Sequence, residues 1–122
     1  MPARPKVDEK TLRGWMEGWP GVGTDVKWGN DLCFLVAGKM FCVHCLDGAG
    51  KGSLSFKVED ARFLELTDRP GFVPAPYLAR AHWVKLDDPS ALARAELQAL
   101  LRRAYELILA RLPKKTQREL AG

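Results

Sequence analysis

Between Arg69 and Leu86 the chain reads RPGFVPAPYLARAHWVKL, and its three prolines exclude more structures than any other feature of the sequence. Pro70, Pro74 and Pro76 each fix their own φ and bias the preceding residue toward extended geometry, so Phe72 to Tyr77 cannot be helix interior. The next residues, Ala81-His82-Trp83-Val84-Lys85-Leu86, alternate in character. Ala81, Trp83 and Lys85 fall on one side and His82, Val84 and Leu86 on the other, the period of a half-buried strand. A rigid ramp feeding a strand calls for a sheet, with helices elsewhere in the chain packed on it. The expected class is α+β.

At 122 residues, 47% of them hydrophobic and 28% charged, the chain is expected to be a single globular domain over residues 1–122. No apolar run approaches the roughly 18 residues that a membrane helix needs, so no membrane partner is expected. The opening MPARPKVDEK lacks the apolar segment of a signal peptide. Cys33, Cys42 and Cys45 are an odd number without disulfide-framework spacing, which predicts free thiols and a cytoplasmic address. A net charge of +4 permits contact with nucleic acid without demanding it.

The remaining elements follow from periodicity. Asp8 to Trp19 spaces Leu12, Trp15, Met16 and Trp19 as one helical face, stopped by Pro20-Gly21. From Gly21 to Leu46 the period becomes strand-like, with breaks at Gly29-Asn30-Asp31 and at Gly38-Lys39. A two-residue Gly38-Lys39 turn would pair Val36 with Phe41 and Phe34 with Val43, placing these four in the core. The same register sends Cys33, Leu35, Met40, Cys42 and His44 to the opposite face. Asp47 to Gly52 reads as a flexible turn into a strand over Ser53 to Val58, since neither a GK[ST] frame nor a following helix makes it a phosphate loop. Glu59 to Thr67 predicts a short helix. Ala91 to Leu112, after Asp87-Asp88-Pro89-Ser90, predicts the longest one, with Leu97, Leu100, Leu101, Ala104 and Ile108 on a single stripe.

Five blocks then stand in order: PGV at Pro20, WG at Trp28, F-x-V-x-GKMF from Phe34, PGFVPAPYLARAHWVKL from Pro70, and the Tyr105 helix ending in LPKKTQ. In composition and spacing they resemble the MmcQ/YjbR family, from about residue 8 to residue 118. The resemblance implies a CyaY-like (frataxin-like) two-layer α/β sandwich whose antiparallel sheet carries the N- and C-terminal helices on one face. It also implies binding of duplex DNA through a double-wing motif.

The residues themselves support binding more readily than catalysis. His44 and His82 have no Ser or Cys paired with them in a nucleophilic motif, so no catalytic residue and no enzymatic activity are expected. Cys33, Cys42 and His44 could converge across a hairpin, but Cys42 and Cys45 point to opposite faces and no fourth ligand is evident; neither metal nor other cofactor is expected. For DNA the candidates are Lys27, Lys39, Lys51 and Lys57 at hairpin tips and edges, with Arg80, His82 and Lys85 beside the ramp strand. Lysines in such places also keep sheet edges unpaired. The alternative is a ligand- or protein-interaction module that uses the sheet face bearing Cys33, Leu35, Met40, Cys42 and His44.

Overall fold

A computed structural model describes residues 7–76 and 78–122; Tyr77, part of the expected ramp, and the N-terminal stretch before Val7 lie outside the described residues. Six antiparallel strands form one open sheet: β1 (Val22–Lys27), β2 (Asp31–Val36), β3 (Lys39–Cys45), β4 (Leu54–Lys57), β5 (Phe72–Pro74) and β6 (Trp83–Leu86). Their order is β1-β2-β3-β4-β6-β5, so β1 and β5 are the edges. Helices α1 (Glu9–Met16), α2 (Asp60–Thr67), α3 (Arg94–Leu109) and α4 (Lys114–Ala121) complete the chain. Leu12 and Met16 of α1 share one core with Leu97, Leu101 and Ala104 of α3 and with Phe34, Phe56 and Val84 of the sheet. Both helices therefore cover the same face of a two-layer α+β sandwich.

Local chemistry sets the ends of these elements. Asp8 caps α1 by accepting the Thr11 N–H at 2.9 Å, which with Glu9 in the first turn complements the helix dipole. The helix stops at Met16, short of the expected Trp19, where the chain enters the turn closed by Trp19 N–H donating to Met16 O. Asp88 caps a 3-10 turn, Pro89–Ala91, and does not cap the long helix, which begins only at Arg94. Pro113 lacks the N–H to continue α3 and sits at the N-cap of α4, where no N–H is needed, and the basic tail continues as α4. The ramp holds the edge strand β5, where Pro74 removes no ladder bond that the sheet requires. The expected strand from Ala81 starts at Trp83, because Ala79–Ala81 forms a 3-10 turn ended by His82 in the left-handed region.

The β2–β3 hairpin corrects the expected register. Its turn is Ala37-Gly38, both at positive φ (48° and 83°), as a two-residue turn matching the strand twist requires. Val36 pairs with Lys39 and Leu35 with Met40, but Phe34 pairs with Cys42, so Phe41 is an extra residue on β3. At such a bulge the alternation resets. Phe34, Val36 and Phe41 enter the helix-side core as expected, whereas Cys42 and His44 join them and Val43 turns to the open face.

The bulged Phe41 meets the Tyr105 ring edge-on at 5.6 Å, with Trp19 5.2 Å from Tyr105. The Tyr105 hydroxyl donates to Pro20 O at 2.7 Å. Tyr105→Phe leaves that carbonyl without its partner and is expected to lower unfolding free energy by about 1–2 kcal/mol. Ala37→Asn, which suits positive φ better, is expected to raise it by up to about 1 kcal/mol. Urea denaturation of both variants checks each sign.

Candidate binding site

The strand pairings draw a line of side chains across the face that lacks helices: Asp25, Cys33, Val43, Ser55, Lys85 and Val73, one from each strand. At both ends of this line the chain folds back over the sheet. On the β1–β2 side Trp28 adopts a left-handed backbone (φ 54°) and is 69% exposed. The Asn30 side chain donates to Asp47 O at 2.8 Å and Leu46 N–H donates to Asn30 O at 2.8 Å, locking this turn to the β3–β4 loop. On the ramp side Ala75 N–H donates to Trp83 O, and Trp83 N–H donates to Leu78 O. Between the two walls lies a hollow of about 700 Å³. Met40, Val43 and Ser55 line it from the sheet, Trp28 and Leu78 from the walls, and Lys85 brings an ammonium to it.

Lys85 sits 3.9 Å from Asp87, too far for a hydrogen bond, and about a quarter of its side chain is exposed. Asp31 also borders the hollow and faces Lys27 across the β1–β2 ladder. The site is thus an apolar trough with one cation, the Lys85 ammonium beside Gly50 of the β3–β4 loop, and one carboxylate toward β1. Volume and lining both fall within the range of ordinary small-molecule sites.

The other expected site residues separate. Lys57 lies on a central strand and is 3% exposed, its ammonium donating to Ala81 O, which corrects its assignment to a tip or edge. Burial, and then Arg111, push its pKa down. His82 donates through Nδ1 to Asp60 and packs on Phe63, so it pins the ramp wall from behind. Lys39, Lys51 and Arg80 are exposed. Lys39 begins β3 and Lys51 lies in the loop after its far end, so these two cations stand at opposite ends of that strand. Cys42 and His44 lie on the helix side and Cys33 and Cys45 on the open face, so Cys33, Cys42 and His44 do not share the face on which the expected register put them. Among the described residues no group of three His, Cys, Asp or Glu is arranged to hold a metal ion. Sequence reasoning missed Trp28, Ser55 and Leu78; a tryptophan followed by glycine at the end of an edge strand was the available signal.

A family model named YjbR matches residues 17–107. The chain belongs to the YjbR family. The structure is similar to a Deinococcus radiodurans protein described by a DUF419 domain (TM-score 0.81, 22% identity, covering 98% of this chain and 91% of that one). It is also similar to a Pseudomonas syringae structural-genomics protein (TM-score 0.64, 16% identity, covering 83% and 98%). At these identities the likeness shows the fold. No curated protein matches.

His44 is 4% exposed and donates through Nδ1 to Ser53 O at 3.2 Å. Burial holds its pKa below the usual 6.5, with partial opposition from the Ser53 carbonyl, Glu9 and Asp8. The unfolded chain therefore takes up the proton at higher pH than the native one, and stability falls as pH drops through 6.5, levelling off below the folded pKa. Unfolding free energies at pH 7.5 and 5.5 are expected to show this loss, and His44→Gln is expected to shrink it.

Proposed function

We propose that this chain is a non-catalytic binding domain that takes a small, partly apolar organic anion into the open-face hollow. The observation that carries this reading is the trough itself: about 700 Å³ over Met40 and Val43, walled by Trp28 and Leu78, with Lys85 as the cation. Apolar surface supplies affinity and a single placed charge fixes orientation. The two histidines face away from the hollow's chemistry, His82 engaged by Asp60 and His44 by Ser53, so the trough has a charge and a shape but no histidine base. Among the described residues no helix is long and apolar enough to cross a membrane.

Duplex DNA is the second reading, favoured by Lys39, Lys51 and Arg80, which are exposed and form no ion pair with a described residue. It stands behind the first because Asp25, Asp31, Asp47 and Asp87 interrupt the basic groups around the open face, and because Lys57 is buried.

Two titrations separate the readings. With anilinonaphthalene sulfonate as an apolar anionic probe, Lys85→Met is expected to weaken binding about tenfold, the scale of one charge-assisted hydrogen bond. Met40→Trp, which fills the trough, is expected to abolish it. Unchanged probe binding in both variants would overturn the ligand reading. With duplex DNA at low salt, Lys39→Glu combined with Lys51→Glu is expected to collapse any affinity, while Lys57→Met leaves it unchanged, since only exposed cations release counterions from phosphate. DNA binding that survives the double charge reversal would remove the wing mechanism.

A further inference from the structure

Among the described residues β1 is an edge strand with no neighbour beyond it in the sheet. Gly21 O accepts from Ala37 N at 3.1 Å at the start of the β1–β2 ladder. Hydrogen-bonded and non-bonded pairs alternate along an antiparallel ladder, so Gly23, Asp25 and Lys27 turn their backbone groups toward β2. Val22, Thr24 and Val26 turn theirs off the edge. The Val22 N–H is used by Trp19 O at 3.1 Å, which leaves the Thr24 and Val26 groups facing outward.

Edge strands are commonly defended by charge. Here the charges bracket an apolar residue with opposite signs, Asp25-Val26-Lys27. Val26 is 50% exposed. Neither Asp25 nor Lys27 forms an ion pair with a described residue. Such a strand repels most neighbours but complements itself.

We propose that two copies of this chain pair through β1, antiparallel and centred on Val26. In this register Val26 exchanges two hydrogen bonds with the partner's Val26 through its outward-facing backbone groups, and the two valines bury each other on the helix side. Asp25 faces the partner's Lys27 on the open side, and Lys27 faces the partner's Asp25, each an opposite-charge cross-strand pair. Centring the pair on Thr24 sets Asp25 against the partner's Gly23 and Lys27 against the partner's Gly21, and pairing Thr24 with the partner's Val26 sets Asp25 against the partner's Asp25, so neither register matches opposite charges. Charge therefore selects the Val26 register. The seam spans only a few residues per copy, well below the roughly 1,200 Å² of a stable interface, so the dimer is weak and reversible. It joins two sheets of six strands into one and brings the two Trp28 walls to the seam.

Sedimentation velocity in low salt, over a concentration series to about 1 mM, tests the pairing. The parent is expected to shift from monomer to dimer as concentration rises. Asp25→Lys and Lys27→Asp each set like charges opposite one another and are expected to weaken dimerisation at least tenfold. An equimolar mixture of the two variants sets opposite charges together at both positions and is expected to dimerise like the parent. Circular dichroism and melting curves confirm that each variant is folded. A parent that stays monomeric to 1 mM, single variants that dimerise as well as the parent, or a mixture that stays monomeric would overturn the proposal.

Discussion

The hydrogen bond from Tyr105 to the Pro20 carbonyl joins three parts of the chain that are distant in sequence. Tyr105 projects from the middle of α3, Pro20 closes the turn between α1 and β1, and the Tyr105 ring rests against the bulged Phe41 of β3. The Trp19 ring packs on both Tyr105 and Phe41, and the Arg102 guanidinium lies over Trp19 and Tyr105 at about 5 Å. A buried phenol hydroxyl without an acceptor is costly, so this bond fixes where α3 can sit along the sheet. Gly21, at φ 77°, follows immediately, and a Cβ there would strike Leu120 of α4 at 2.7 Å. The same turn therefore sets the approach of α1, α3 and α4.

The bulge at Phe41 follows from that packing. Strict alternation across the hairpin would place Phe41 and Val43 inward together, with Met40 and Cys42 outward. The extra residue allows Phe41 and Cys42 to point inward in succession, which puts a large ring against Tyr105 and frees Val43 for the open face. Burial of Cys42 raises its thiol pKa far above the ordinary value, so it behaves as a small hydrophobe. The open face owes its Val43–Ser55–Lys85 row to this shift of one residue.

Much of the architecture was legible because its signals are local. The prolines of the ramp, the leucine stripe of α3 and the glycine-punctuated strands each state their period within a short window, and all survive in the fold. The bulge was not legible, since a hairpin sequence with GKMF carries no mark that Phe41 is surplus; only the demand of Tyr105, more than sixty residues away, selects it. Lys57 was misread for a related reason. A lysine in a strand next to Val58 and Glu59 resembles an edge, and only the return of β6 beside β4 makes the position central. The trough was half legible: Met40 was placed on the open face and Lys85 among the binding candidates beside the ramp strand, whereas Trp28 and Leu78 reach it through backbone turns that periodicity does not describe.

The buried lysine and the left-handed histidine make sense together as supports of one wall. Ala75, Pro76 and the residues from Leu78 to Ala81 lie over the open face without a strand of their own, so their carbonyls need donors from elsewhere. The Lys57 ammonium reaches up from the sheet to Ala81 O, and the His82 backbone turns at positive φ so that its imidazole reaches Asp60 at the start of α2 while its carbonyl accepts Val58 N–H. A desolvated ammonium and a non-glycine residue in the left-handed region each cost stability. Both costs fall on the segment that covers Trp83 and closes one side of the trough, whereas an uncovered sheet face would have needed neither. The arrangement braces one wall of the trough, and the ligand reading proposed above depends on such a preformed wall.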